Sequence, residues 1–505
     1  MVSPDLPPPV ACAAFGAATA FYGILPPAAS GPGICVLRAS IVCLAAAAIA
    51  GAALAPFAAI LEGKGSSPVR LRRRIARSAL AFAAGVVVGT AASERSVPSV
   101  SWGMGSTAVA SVEGRLASDP RKMAGGRVLA DLDLLKASDG KGTVTSAAGP
   151  LRAFVSVGAA GLGDGAVAGA VIRLSGSVEE FGPASGGGVF FKARRPELVV
   201  AAPLIGRARS AAREAVIARF ARREWGGLAV ALLLGSKDLL EEGEGKRFTD
   251  AGCAHVLALS GMHLAVLTAA LAFCLRRPIG LRASLIVGVA AAAAYVGFAG
   301  VQASLLRALL MFFLSAWAQL RGFRRAVLPL LCAAFLIQLC WDPVSARSLS
   351  FTLSYLALAG IAILAEAVVD LLPAALPKAL TATTGASVGA FLATVPLCAL
   401  AFGAVRPAGL VAGALAGTTT SIFMMLATVW LGLDFAWSPA ASLLDPALRL
   451  LKGATDLVVN VASRAPPLLF GSPVIATAAS LAAAVLLVYG RYRLNETRNR
   501  VDPID

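Results

Sequence analysis

His255, Ser260, Gly261 and His263 fall within one otherwise apolar stretch, HVLALSGMHL. Ser260 and His263 are three residues apart, so an intact helix places them on one face. A serine beside a histidine is the pairing of a nucleophile and its base. Side chains at that spacing on one helix seldom reach the in-line geometry that the reaction requires, and the residue two before Ser260 is Ala258. A second reading is polar packing between helices. A third, favoured here, is the wall of a polar path: strongly polar residues in apolar spans are costly and usually face a cavity or a partner helix. Gly261 weakens a helix or admits a close backbone approach, and a broken helix carrying polar side chains is what a conduit or binding site needs.

Arg307 adds to this set, because it sits mid-run in VQASLLRALLMFFLSAW. An unpaired guanidinium at that depth costs roughly 2.5–3.5 kcal/mol on insertion scales. Asp342 in CWDPVSARS is a further path candidate, although turn chemistry before Pro343 explains it better. Ser354 and Pro396 are weaker candidates, since serines and prolines commonly bond or kink membrane helices. Other chemistries are excluded or unsupported. Two histidines cannot build a histidine-rich metal centre, and no GxxxxGK[ST] loop is present to bind a nucleotide. The eight cysteines include no CxxC pair and read as buried single thiols. No metal, cofactor or enzymatic activity is expected.

The elements that must position these residues are membrane helices. Hydrophobic residues make up 57% and charged residues 14% of the 505, and mean hydropathy is +0.77. Soluble domains carry about 25% charged residues. The fold expected is a polytopic α-helical membrane protein of about 11–12 spans. It carries an inserted small β-barrel, OB-like, on the extracytoplasmic side. Spans are expected over residues 9–28, 34–61, 75–93, 253–275, 283–300, 303–320, 326–341, 349–371, 382–402, 408–433 and 467–489. Residues 440–460 are ambiguous, with a lean towards spanning. Residues 228–236 are too short to span and read as re-entrant. Lys and Arg outnumber Asp and Glu 45 to 28, giving +17, and the basic runs anchor the cytoplasmic side. The run VRLRRRIAR (69–77) then puts a loop, and with it the amino terminus, in the cytoplasm.

Domain organisation follows from these shifts in composition. Residues 1–95 form the first helices and residues 106–203 a β domain of five short strands separated by Gly, Pro, Ser and Asp clusters. Residues 204–225 form a basic amphipathic helix, suited to a membrane surface or to packing on its own protein. Residues 226–490 form the main membrane domain, and 491–505 a basic cytoplasmic tail. Arg115, Arg121, Lys122, Arg127, Lys192, Arg194 and Arg195 of the β domain are candidates for binding an anionic strand, with a plain solvated surface as the alternative. Phe154, Phe181, Phe190 and Phe191 are its aromatics, and some of them must be core.

Three segments, in order, resemble the ComEC family, membrane proteins of bacterial natural transformation. LLLGSKDLLEEGEGKRFTDAGCAHVLALSGMHLAVL (232–267) is similar through Gly235, Phe248, Gly252, His255, Ser260, Gly261 and His263. Residues 306–361 are similar through Arg307, Ala308, Met311, Asp342, Pro343, Phe351, Leu353 and Ser354, and AFLATVPLCALAFGAV through Pro396 and Phe402. Gly413 and Thr418 stand where family members commonly have Asn and Pro, which questions the helix geometry there. The resemblance implies transport of single-stranded DNA across the bacterial cytoplasmic (inner) membrane. The partners it implies are the strand, the lipid bilayer, an extracytoplasmic DNA receptor, a cytoplasmic helicase or ATPase, a separate nuclease and further copies of the chain in a homo-oligomer. Many members end in a metallo-β-lactamase-like domain with an HxHxDH cluster. Two histidines cannot supply it, so no nuclease activity is expected of this polypeptide. Rival readings are a small-molecule or lipid transporter and an intramembrane hydrolase using Ser260.

Overall fold

A computed structural model describes residues 9–23, 68–95, 100, 102, 105, 108–123, 127–156, 165–180, 189–257, 261–323, 327–373, 375–469 and 473–501. The expected span at 34–61, together with Ser260 and Phe181, lies outside them. Two compact units divide the chain. A helical unit comprises Met1–Leu25, Pro32–Ser96 and Arg223–Asp505, and a sheet unit comprises Pro26–Gly31 and Val97–Arg222.

The helical unit opens with α1 (Pro9–Gly23) against α2 (Pro68–Arg95). The basic run 69–77, expected as a loop, instead forms the first turns of α2. Small residues bring the pair together: a Cβ on Gly85 would lie 1.9 Å from the Ala13 carbonyl oxygen, the close backbone approach that membrane helices use.

The sheet unit follows, with strands β1 (Val109–Leu116), β2 (Arg121–Met123), β3 (Arg127–Asp139), β4 (Val144–Ser146), β5 (Pro150–Ser156), β6 (Val171–Glu180) and β7 (Val189–Val200). The five long strands coincide with the five β-like runs of the sequence; β2 and β4 have only three residues each and leave no alternation to read. Strand β1 pairs with both β6 and β3, so the sheet closes on itself in the order β1-β6-β7-β5-β3. All of these pairings are antiparallel except β5 with β7. Period-two alternation fills the interior: Leu151, Ala153 and Val155 of β5 point inward and are joined by Leu132, Ile172, Leu174, Phe191 and Ala193. Gly176 lies at an irregularity between β6 and β7, where a Cβ would come 1.9 Å from the Lys192 carbonyl oxygen. The basic helix α3 (Leu204–Phe220) packs on this unit. Its Val216 and Phe220 are buried, and its Arg209 and Arg213 reach Asp119 at 2.5 and 3.9 Å.

Returning to the helical unit, α4 (Gly226–Leu234) ends at Gly235, which is left-handed with φ 71°. Nine residues give only about 13 Å of helix. Leu228, Val230 and Leu232 are wholly buried, so α4 lies in protein rather than crossing lipid. Then come α5 (Glu244–Asp250), α6 (Ala254–Leu257), α7 (Gly261–Ala299), α8 (Ala303–Leu320), α9 (Val327–Trp341), α10 (Leu349–Leu371), α11 (Lys378–Phe402), α12 (Ala408–Ala436), α13 (Ser438–Ser442), α14 (Asp445–Ser463) and α15 (Pro473–Val501). Two-residue strands β8 (Ala404–Val405) and β9 (Leu468–Leu469) pair between them.

Six helices among the described residues are long and apolar enough to cross a membrane: Cys274–Ala299, Ala303–Leu320, Leu349–Leu371, Lys378–Phe402, Ala408–Ala436 and Val474–Arg491. The expected spans near 9–28, 75–93, 253–275 and 326–341 appear as shorter apolar helices. Helix α7 is divided at Gly280, whose φ of 77° suits only glycine. Helices α10 and α11 interlock through glycines, since a Cβ on Gly360 would lie 2.2 Å from the Gly389 carbonyl oxygen. Of the described cysteines, Cys274 and Cys340 are exposed, not buried; each sits on the outer face of an apolar helix.

Helix α14 is turned inside out relative to a soluble surface helix. Leu450, Leu457 and Val461 point outward, more than three-fifths exposed, while Asp445, Thr455 and Val459 are buried. Asp445 is held by Arg223 at 2.7 Å, and the Arg223 guanidinium also lies 5.2 Å over the Trp430 ring. Lys452 meets Asp456 at 2.9 Å and Glu241 at 3.4 Å, and Thr455 shares a hydroxyl hydrogen bond with Thr419 of α12.

Candidate functional site

The stretch expected as one span from residue 253 is described in two helical parts, α6 over Ala254–Leu257 and α7 from Gly261. Gly261 meets α8: a Cβ there would lie 2.9 Å from Arg307 Nη2 and 3.0 Å from the Ala308 Cβ. Glycine is therefore what lets the start of α7 lie against the arginine. Arg307 is only 5% exposed, and its Nε and Nη1 have no hydrogen-bond partner among the described residues. A buried polar group without a partner costs about 1–3 kcal/mol, more when charged, and native structures keep few of them.

The guanidinium lies 5.7 Å over the Tyr355 ring, a favourable contact worth about 0.5–2 kcal/mol. The Tyr355 hydroxyl donates to Gln338 Oε1 at 2.9 Å, and Gln338 Nε2 donates to the Ala303 carbonyl at 3.0 Å. A chain from α10 through α9 to the start of α8 thus fixes the ring on which Arg307 rests. Gln338 and Tyr355 were not singled out in the sequence. Gln338 carried the same signal as Arg307, a strongly polar residue inside an apolar run.

The remaining path candidates scatter. His263 is fully buried in the first turn of α7. His255, in α6, is exposed and lies against α12, where a Cβ on Gly413 would come 3.3 Å from its Cε1. Helix α12 runs unbroken through Gly413 and Thr418, so neither departure disturbs it, and glycine at 413 leaves room for the imidazole. Asp342 serves the turn after α9. Its Oδ1 accepts the Ser345 N–H at 3.0 Å, and its Oδ2 accepts the Ser345 hydroxyl. Ser354 is half-buried on α10 beside Tyr355. Pro396 lies inside α11 and has no N–H to offer the Leu392 carbonyl one turn back. The Ser480 hydroxyl of α15 donates to that carbonyl instead, at 2.5 Å.

The sheet unit gathers some of the candidate cations and separates others. Cross-strand partners put Arg121, Leu129, Phe154, Lys192 and Ser177 in one row across β2, β3, β5, β7 and β6. The next row is Asp131, Arg152, Phe190 and Glu179. Arg127, Phe154, Ser156, Glu179, Phe190 and Lys192 line a shallow groove on this outer face. Phe154 and Phe190 meet edge to face, with centroids 5.3 Å apart. Lys192 is 3.3 Å from Glu179, Arg152 is 3.3 Å from Asp131, and Arg121 is 3.9 Å from Asp131. Arg115 is exposed opposite Asp133, and Arg194 and Arg195 are exposed where β7 departs from register with β6. Lys122 pairs with Val128 through its strand. Arg152 was missed from the sequence, although its alternation with the inward residues of β5 marks it as outward.

No curated protein and no solved structure matches the chain. The family model for Competence protein matches residues 232–494, more than half of the chain. The match takes in α6, α7, Arg307, Gln338, Tyr355 and Pro396. On that match, and on the ordered motifs that carry the resemblance, the chain is a polytopic membrane protein that belongs to the competence protein family, the family of ComEC.

Proposed function

We propose that this protein passes single-stranded DNA through the bacterial cytoplasmic membrane during natural transformation. The observation that carries the reading is the family match across the helical unit, which contains a buried arginine with donors to spare. Each phosphate of a strand must stay solvated or paired, because a bare charge in hydrocarbon is prohibitive. Arg307 offers unfilled donors at that depth. Gly261 lies against Arg307, and His255, Ser260 and His263 of the same stretch are the further proposed lining residues.

The closed strand order and the single parallel pair, β5 with β7, support an OB-like reading of the sheet unit, a fold that binds oligonucleotides on its sheet face. We place this unit outside the cell and the amino terminus in the cytoplasm, following the basic runs. A DNA receptor would deliver the strand, a cytoplasmic helicase or ATPase would pull it, and a separate nuclease would process it.

Uptake of labelled DNA by cells producing normal amounts of the protein tests the reading. Arg307→Gln and His263→Ala are each expected to cut uptake at least tenfold. Undiminished uptake in both variants removes the conduit assignment and leaves a small-molecule or lipid transporter. Loss of uptake in Ser260→Ala, with hydrolysis of a membrane peptide by the unaltered protein, would favour the hydrolase.

A further inference from the structure

Two phenylalanines on the outer face of the sheet do nothing for the barrel interior, which Phe191, one residue from Phe190, already fills. Phe154 and Phe190 are half-buried, with their edge-to-face contact on the surface side. Arg127 and Lys192 flank them in the groove, and Arg121 stands in the row of Phe154 and Arg152 in the row of Phe190. Aromatic faces among cations are how proteins hold a single strand, bases stacking on rings while the phosphates meet the charges. An intact duplex hides its base faces and gains nothing from the rings.

The same face carries carboxylates. Glu179 occupies Lys192, and Asp131 occupies Arg152 and Arg121. The cations of these pairs are about half exposed or more, so the pairs are weak and exchangeable. A phosphate must displace them to bind.

We infer that the Phe154–Phe190 groove is a stacking site for single-stranded nucleic acid, in which Glu179 and Asp131 act as built-in competitors that keep the hold weak. The choice of ligand rests on the proposed passage of single-stranded DNA; the geometry of the site does not. A strand that must move on benefits from a hold that releases. The carboxylates return to the cations as each phosphate leaves.

The test uses the full chain in detergent with a fluorescent 15-nucleotide oligothymidylate, and anisotropy is followed across a salt series. The unaltered protein is expected to prefer the oligonucleotide to a duplex of equal length. Phe154→Leu with Phe190→Leu keeps the apolar volume and should weaken binding at least fivefold with the salt slope unchanged. Arg127→Gln should weaken binding and flatten the slope by about 0.7, the value for one phosphate on a single strand. Glu179→Gln should tighten binding and steepen the slope, a gain that misfolding cannot produce. Equal binding by the double leucine variant, or displacement of the oligonucleotide by polyglutamate as readily as by unlabelled oligothymidylate, overturns the inference. Loss of oligonucleotide binding in that variant with unimpaired uptake of DNA by cells would leave the site standing and count against the transport reading. Loss of uptake in Arg307→Gln beside unchanged binding in the double leucine variant would do the reverse.

Discussion

Arg307 in the helical unit and Arg152 in the sheet unit are the same side chain in opposite circumstances. Arg307 is almost wholly buried, with two donors unfilled and no carboxylate within ion-pair distance among the described residues. Arg152 is more than half exposed and has Asp131 beside it. Folding explains the second arrangement, since solvated pairs cost little and return little. It does not explain the first, where an apolar side chain of similar length would pack without penalty. On the proposed function, a charge kept at such expense is retained for what it binds, whereas a cheap one is recognised by its company, here two phenylalanines.

The largest effect that separates the two regions comes from Arg307→Met. Removing the unpaired charge is expected to raise stability by about 1–3 kcal/mol while abolishing most DNA uptake, read by thermal unfolding in detergent beside a transformation count. A fall in both would make Arg307 a structural residue and erase the contrast. Gly261→Val drives side-chain atoms into Arg307 and Ala308 and should cost about 1–3 kcal/mol, visible in the same unfolding curve. Tyr355→Phe leaves the Gln338 oxygen without its donor and should cost about 1 kcal/mol, with uptake reduced because the ring under Arg307 loses its tether. Arg152→Ala should change stability by no more than about 0.5 kcal/mol; a larger loss would mean the outer face of the sheet is more than a solvated surface.

The smallest effect is confined to acid. Asp139 Oδ1 accepts the backbone N–H groups of Thr143 and Lys141 at 2.8 and 2.9 Å, and these bonds, Thr143 foremost, hold its carboxyl below the ordinary aspartate range. The folded value is the lower one. Its stabilising contribution is therefore complete above the unfolded value of about 3.9 and is lost as pH falls through the folded value. Asp139→Asn should remove that portion of the acid dependence in a pH series of unfolding midpoints.

What could be read from residue order was whatever a residue declares by its own type. Arg307 announced itself by charge in an apolar run, and Gln338 would have done so under the same rule. The long strands were legible because alternation over seven or more residues is a strong pattern. The outward turn of Phe190 was not, since Phe190 and Phe191 are adjacent and only pairing with Arg152 and Ala153 of β5 decides which faces in. The contacts of Gly261 and Gly413 depend on what a distant helix brings to them. The membrane helices were legible where a run was both long and apolar. Helix α14 was ambiguous because its four charges resemble a solvent face, although Asp445, Lys452 and Asp456 turn inward and Arg449 alone stays exposed.

The hydroxyl of Ser480 on the carbonyl freed by Pro396 has a mechanical meaning. It stitches α15 to α11 one turn before Pro396. Towards its far end α15 is fastened again, Arg491 bonding Glu366 and Asp370 of α10 at 3.0 and 2.8 Å. Since α10 and α11 are already locked through Gly360 and Gly389, the three helices are tied into one plate. If the chain passes a strand as proposed, the passage would open along the border of that plate, where Tyr355 faces Arg307, and not within it.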